Sequence, residues 1–398
     1  MSSAGGAGPS VLLVVNSLGY GGTERMIERM TLQLSASGRV RYTVCSLGSE
    51  GPVGARLRAR GVEVIALGGR GGALRQVLGG ARRLRRLLRS GRFDMVHSFL
   101  YRSHFASRLA RLGRVPRVPL ISSERCLGDN RGRIAQCINR LMSRMSDRIL
   151  AVSQAVAERA AVRDGVPRDR LAVVPNGIED AQSDPRARAR LRRLFSVGPE
   201  ETVLLYLGRL HHEKGPDLLL DALARMKEAS VRGWRAVFLG DGPERPALER
   251  RSAELGLSGQ VAFMGIRRRV GPWIDAADIL ALPSREEGMP VAALEAMMRS
   301  RPVVATRVGG TPEVVRDTET GILVPPDDVV ALAGALERLV RDPHERARLG
   351  ACGRRVVQEE FTLERMLDRT LRQYEMLLSA PQAAAEARRS TAVARTEK

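Results

Sequence analysis

Two carboxylates and two cations hold the chemistry that can be read from this chain. Glu287 and Glu295 stand eight positions apart in ADILALPSREEGMPVAALEAMM, residues 277–298. Gly288, Met289 and Pro290 between them mark a helix start, because Pro lacks an N–H that the first turn leaves unpaired in any case. The amides of such a turn can hold an anion. Glu287 lies in the loop ahead of that turn and Glu295 in the second turn of the helix, so two carboxylates flank one phosphate-sized site. Earlier, Gly208-Arg209-Leu210-His211-His212-Glu213-Lys214-Gly215 joins an apolar run to another helical pattern. An arginine and a lysine five residues apart on a glycine turn suit a diphosphate, Arg209 by planar guanidinium contacts and Lys214 by a compact charge.

Strands must end in these loops to position the side chains. Apolar runs of strand length recur at 11–16, 42–47, 62–67, 95–98, 118–122, 148–152 and 171–174, with helical patterns between most of them. A second series follows at 202–207, 236–239, 261–264, 279–282, 302–305 and 321–326. Alternation of this kind predicts parallel doubly wound α/β sheets, which bind ligands beyond the carboxyl ends of their strands. His97 and Ser98 end one strand, and Glu124 and Arg125 follow another. Gly19, Gly21 and Gly22 follow the first strand, where small residues let backbone amides approach a ligand before a helix that starts near Thr23. Val-Pro-Asn-Gly-Ile at 174–178 reads as a strand ending in a turn, which puts a domain boundary near residue 180. Helical patterns cover 328–341, 344–359 and 362–378, and the apolar-poor residues from Pro381 read as disordered.

A carboxylate beside a phosphate is repelled unless it has hydroxyls to accept from, and a nucleotide attached to a sugar supplies both. The Glu-x7-Glu pattern, wrapped around Gly-x-Pro and ending in Leu-Glu-Ala-Met, resembles the donor-site signature of retaining glycosyltransferases of family 4. Gly-Gly-Thr-Glu-Arg at 21–25, Val-Pro-Asn-Gly-Ile, Gly-Arg-Leu…Lys-Gly and Gly-Gly-Thr-Pro-Glu at 309–313 are similar to further family segments, so the resemblance spans roughly residues 11–378. It implies the GT-B fold, two Rossmann-like doubly wound α/β domains facing a central cleft. Residues 1–180 would form an acceptor-binding domain and 181–360 a nucleotide-sugar-binding domain. Residues 361–380 would return to the first domain, and 381–398 would form the tail.

The resemblance also implies a hexosyltransferase-like reaction that needs neither cofactor nor metal. Arg209, Lys214 and the helix start at Met289 would stabilise the leaving diphosphate, Glu287 would hold hydroxyls of the transferred sugar, and Glu295 those of the ribose. The loop of Gly21 and Gly22 would face the diphosphate, and Ile266 would touch the base. Many relatives carry a histidine near the transferred sugar where this chain reads Ser122-Ser123-Glu124-Arg125. His97 and Arg125 are the two residues open to that role, and His97 reads equally as a structural hydrogen-bonder.

The net charge of +21 is unevenly placed. Residues 1–178 contain 30 arginines, no lysine and 11 acids, a net of +19; the remainder has 35 basic and 33 acidic residues. A basic first half reads equally as a solvated arginine-rich surface and as a functional basic face, and the latter points to a phosphate-bearing or membrane-bound acceptor, such as a lipid-linked saccharide or glycolipid in cell-surface polysaccharide synthesis. The stretch ARRLRRLLRSGR at 81–92 can rest on anionic lipid or pack its leucines on the sheet. Residues 131–148 carry Ile134, Cys137, Leu141 and Met145 at helical spacing, which suits a core helix or an acceptor-side surface. No apolar run approaches the roughly 18–20 residues that span a bilayer, and MSSAGGAGPS lacks a basic flank. The expectation is a cytoplasmic protein, peripheral on the inner face of the membrane.

Four cysteines without metal or redox spacing read as reduced packing residues, and the five histidines suggest no metal cluster. Two alternatives remain. A GT-B nucleotide-sugar epimerase would bind the same donor without an acceptor. A nucleic-acid-binding protein would suit the pI near 11.2, although the 14 aromatics are not interleaved with the arginines as stacking platforms.

Overall fold

The structure, a computed structural model, describes residues 8–19, 21–69, 72–112, 118–127, 133–194, 197–198 and 200–396. Side chains at 73, 133–135, 194 and 380–396 are outside that description, as are residues 1–7 at the N-terminus. The chain divides into two compact units, Met1–Pro175 with Glu364–Lys398, and Asn176–Leu363.

In the first unit β1 (Ser10–Val15), β2 (Arg41–Ser46), β3 (Glu63–Ala66), β4 (Met95–Phe99), β5 (Leu120–Glu124), β6 (Arg148–Ala151) and β7 (Leu171–Val173) form one sheet. Its order is β3-β2-β1-β4-β5-β6-β7 and every pair is parallel. Helices α1 (Gly22–Ala36), α2 (Gly51–Ala59), α3 (Ala73–Arg89), α4 (Tyr101–Ala110), α5 (Arg133–Ser143) and α6 (Gln154–Val162) make the crossovers. Strands covered on both faces read as continuous apolar runs, and Val11–Val15 is buried throughout. Leu12, Val14, Val96 and Leu120 of the sheet share a core with Leu84 and Leu88 of α3.

Two basic helices of this unit divide their apolar residues between core and surface, α3 with Leu74 and Leu78 exposed in its first half and leucines buried in its second. Helix α3 turns Leu84 and Leu88 inward and leaves Arg82, Arg83, Arg86 and Arg89 exposed, so the packed reading of residues 81–92 applies. Helix α5 leaves Ile138 and Leu141 exposed, beside exposed Arg140 and Arg144, and buries Asn139 and Met142 instead. The surface reading of that segment applies; Ile134 lies outside the described side chains. The cysteine expectation needs correcting in the same way. Cys45 packs in the core, where burial pushes its thiol up to about 12, but Cys126 and Cys137 are exposed. Among the described residues no helix is long and apolar enough to cross a membrane.

The second unit holds β8 (Thr202–Leu207), β9 (Trp234–Leu239), β10 (Val261–Gly265), β11 (Ile279–Leu282), β12 (Val303–Thr306) and β13 (Gly321–Val324), in the order β10-β9-β8-β11-β12-β13. All pairs are again parallel. Helices α7 (Pro185–Leu194), α8 (Pro216–Glu228), α9 (Arg245–Glu254), α10 (Gly271–Ala276), α11 (Val291–Met297), α12 (Val329–Arg341) and α13 (Pro343–Glu360) cover it. Leu204, Tyr206, Leu219, Leu223, Phe238 and Leu336 belong to one core cluster. The segments that enter and leave this unit lie side by side: Ile178 N donates to Phe361 O at 3.0 Å and Leu363 N to Ile178 O at 2.8 Å.

Helix α14 (Leu363–Thr396) ends the description. In the first unit Asp368 pairs with Arg39 at 3.1 Å, Gln373 accepts from Arg148 at 2.8 Å, and Tyr374 is 1% exposed. Residues 381–396, expected to lack order, continue this helix; alanine, glutamate and arginine are strong helix formers even where nothing apolar needs burial. Residues 397–398 lie outside the described residues.

Candidate active site

The loops at the carboxyl end of the second sheet are tied into one cluster by backbone hydrogen bonds. Gly208 N donates to Leu239 O at 3.1 Å, Leu210 N to Asp241 O at 3.0 Å, and Gly240 N to Gly265 O at 3.1 Å. On the other side Arg285 N donates to Glu213 O at 2.8 Å and Gly310 N to Glu287 O at 3.1 Å. Two glycines allow this closeness. A Cβ on Gly215, whose φ is +60°, would lie 2.0 Å from Pro283 O, and one on Gly240, whose φ is +148°, would lie 1.8 Å from Gly208 O. No other residue fits either place.

Lys214 closes a 3-10 turn, His212–Lys214, just before Gly215. Its Nζ donates to Glu287 Oε1 at 2.7 Å, which joins the two strongest sequence motifs in one ion pair. Ser284 Oγ donates to the same carboxylate oxygen at 2.8 Å, and Thr306 Oγ1 donates to the Ser284 carbonyl. The Lys214 and Glu287 side chains are 25% and 11% exposed, so the pair is screened from water but still reachable. Arg209 is 68% exposed and lies 3.3 Å from Glu213. Its carbonyl accepts the Tyr206 hydroxyl at 2.7 Å; burial, then the charge of Glu287, drives that phenol well above its ordinary range. Arg285 braces the loop from behind, held by Asp217 at 2.7 and 2.9 Å and by Asp327 at 2.7 Å. Burial alone would raise Asp217, but its bonds to Arg285 hold it below the usual carboxylate range.

The helix start differs from expectation. Pro290 is extended, with φ −74° and ψ 103°, and precedes α11, which has only seven residues. Asn176 fixes this conformation within the unit by donating from Nδ2 to Met289 O at 3.3 Å. Gly288, Met289 and Pro290 are buried and Glu295, inside α11, is 6% exposed. Ile266 is 61% exposed just beyond β10, and its carbonyl accepts from Arg267 at 3.2 Å. Ser284, Thr306, Tyr206 and Asp217 were not singled out by sequence. Ser284 had a usable signal, a hydroxyl three residues before Glu287 in the same loop.

In the first unit Gly21 precedes α1 in extended conformation and Gly22 opens that helix. His97 requires a correction. It is 1% exposed, its Nδ1 is 2.7 Å from the Tyr374 hydroxyl and its Nε2 is 2.7 Å from Ser123 Oγ. Both ring nitrogens are therefore spent inside the unit, and the sugar contact expected of this residue is closed to it. Burial, then the nearby His104 and Arg125, hold its pKa well below the usual histidine range, so the ring is neutral. Arg125 and Ser123 edge a cavity of about 20 Å³ beside it, room for about one water.

The model of Glycosyltransferase Family 4 matches residues 20–182, and that of Glycosyl transferases group 1 matches residues 201–342. A D-inositol 3-phosphate glycosyltransferase of Saccharomonospora viridis is 30% identical over 315 residues, 73% of this chain and 72% of that protein. The chain belongs to glycosyltransferase family 4. Another relative of this family, the D-inositol 3-phosphate glycosyltransferase of Xylanimonas cellulosilytica, is 35% identical over 228 residues, and the match spans 54% of each chain. Anabaena Alr3699/HepE, solved in complex with UDP and glucose, superposes with a TM-score of 0.82 at 20% identity, covering 92% of this chain and 100% of that one. The likeness gives the fold, which is GT-B, as the two parallel sheets indicate.

Proposed function

We propose that this family-4 chain is a retaining, metal-independent glycosyltransferase that moves a sugar from a nucleotide-sugar to a phosphate-bearing or lipid-linked saccharide acceptor. The observation that carries the reading is the Lys214–Glu287 pair, set with Arg209 where the strands of the second sheet end. A diphosphate brought to Lys214 and Arg209 would meet one ammonium and one guanidinium as the glycosidic bond breaks, and charge developing on the leaving oxygen would be neutralised in place. Glu287, already oriented by Lys214 and Ser284, would accept from hydroxyls of the transferred sugar. Glu295 would do the same for the ribose. The acceptor would attack from the face of the leaving phosphate, which would take its proton.

The acceptor class rests on the first unit. Its net of +19 over residues 1–178 suits a phosphate, and the relatives named D-inositol 3-phosphate glycosyltransferases agree with a phosphate-bearing acceptor. Helix α5, with Ile138 and Leu141 exposed beside Arg140 and Arg144, would be the part of this unit that rests on an anionic membrane on the cytoplasmic side.

A panel of UDP-, GDP- and ADP-sugars in a thermal-shift experiment without added metal tests the donor site. One of them should raise the melting temperature of the wild type, and Arg209→Ala, Lys214→Ala and Glu287→Ala should blunt the rise. Nucleotide release that depends on an added acceptor then separates transfer from epimerisation. No response to any sugar nucleotide, together with strong stabilisation by anionic polymers, would overturn the proposal in favour of nucleic-acid binding.

A further inference from the structure

A groove of about 730 Å³ opens on the second unit between α7, the loop after β10 and α10. Arg186 and Arg190 line it from α7, and Arg267, Arg268 and Arg269 from the loop, against one carboxylate, Asp184. Asp184 is engaged already, since its Oδ1 accepts the backbone N–H of Arg186 at 2.9 Å and of Ala187 at 3.1 Å. Arg186, Arg190, Arg267 and Arg269 form no ion pair among the described residues. Arginines elsewhere on the unit do, such as Arg235 with Glu201 at 3.1 Å and Arg251 with Asp221 at 2.7 Å. From residue 179 onward the chain is nearly balanced, with 35 basic and 33 acidic residues. A general surplus of arginine therefore does not account for five in one groove.

The walls between the arginines are apolar, formed by Leu191, Met264, Pro272 and Trp273. The Arg267 guanidinium lies 5.3 Å from the centre of the Trp273 ring, which fixes a cation over the aromatic and occupies one of its faces. The volume is that of a small-molecule pocket, and neither Arg209, Lys214 nor Glu287 lines it. Guanidiniums bind phosphate through paired N–H groups, while the apolar walls exclude a plain inorganic anion as the best-matched ligand. We propose that this groove is a second binding site, separate from the donor site, for a phosphate-bearing amphiphile. Its phosphate meets the arginines and its hydrocarbon lies on Leu191, Met264, Pro272 and Trp273. The proposal stands whether or not the transferase reading does.

Trp273 reports on the groove by fluorescence, because the other tryptophan of the chain, Trp234, is 1% exposed in the core. The full chain is titrated with farnesyl diphosphate, inorganic pyrophosphate, farnesol and a single-stranded oligonucleotide. Farnesyl diphosphate should bind roughly tenfold or more tighter than the others, and the double variant Arg190→Glu/Arg269→Glu should weaken it by about the same factor. Both substituted arginines are exposed and unpaired, so the variant should fold, and any nucleotide-sugar melting shift seen in the wild type should persist in it. Phosphatidylglycerol vesicles that bind in a variant-sensitive way place the ligand in a membrane; binding of the soluble probe alone places it in solution. The proposal is overturned if pyrophosphate matches farnesyl diphosphate, if the oligonucleotide binds best, or if the variant binds like wild type. It is also overturned if the variant loses the nucleotide-sugar response, which would make the groove part of the donor site.

Discussion

Each unit carries a chain of hydrogen-bonded polar side chains, and the two chains are built to opposite ends. In the first unit Ser123, His97, Tyr374 and Tyr42 form a closed chain of hydrogen bonds at 2.7, 2.7 and 3.2 Å, all within the buried interior. In the second, Ser284, Glu287 and Lys214 form a comparable chain at 2.8 and 2.7 Å, but the ammonium end is a quarter exposed and Arg209 stands in the open. A closed chain satisfies every member and contributes stability. An open one leaves N–H donors for a ligand to take up, and on the proposed function its members would contribute binding and rate. The first chain is uncharged and sealed, the second is an ion pair with a serine, and the difference that matters for a ligand is which groups still reach water.

Mutations should separate the two. The largest effect is expected from Lys214→Ala, which removes the paired ammonium: donor-dependent turnover should fall about 100- to 1,000-fold, read as initial rates at saturating donor, with the melting temperature nearly unchanged. A comparable loss of stability instead would make the pair a fold element and erase the contrast. Tyr374→Phe deletes the hydroxyl that joins His97 to Tyr42 and leaves buried groups unpaired. Denaturant unfolding should show a loss of about 1–3 kcal/mol, while any donor melting shift persists. Gly240→Ala strikes at the loop cluster, where a Cβ would meet Gly208 O. It should cost about 1–3 kcal/mol and weaken donor binding together, the one substitution that moves both readouts.

The pH dependence sharpens the same point. His97 has a folded pKa below its unfolded value, so its neutral form supports the fold above the ordinary histidine range, and that support is lost as pH falls through it. Below roughly pH 6.5 the unfolded chain takes up a proton that the folded ring refuses, which reduces stability by up to about 1.4 kcal/mol per pH unit. Melting curves from pH 7 to pH 5 on wild type and His97→Gln should diverge below that point; parallel curves would remove His97 as the cause. The smallest effect is expected from Arg209→Ala on stability, within about 0.5 kcal/mol, because its pair with Glu213 is exposed.

Much of the fold was legible because buried parallel strands announce themselves as apolar runs. Thr202–Leu207 and Ile279–Leu282 have the limits their sequence suggests. In the site, Arg209, Lys214 and Glu287 stood out by residue type and by the loops that carry them. What sequence could not give was pairing across distance. Nothing in the spacing says that Lys214 and Glu287, 73 positions apart, meet, or that Tyr374 reaches back to seal His97. Periodicity also cannot tell which way an amphipathic stripe faces. Both α3 and α5 mix apolar residues with arginines, and only packing shows that Leu84 and Leu88 turn in while Leu74, Leu78, Ile138 and Leu141 turn out.

The return of α14 to the first unit sets an order of assembly. Residues 176–363 are contiguous and can collapse as soon as they are synthesised, since domains fold as units from the N-terminal side. The first unit has all seven of its strands long before then, yet His97 lacks its Tyr374 partner until the last helix has been made. The half of the protein that is translated first is therefore the half completed last.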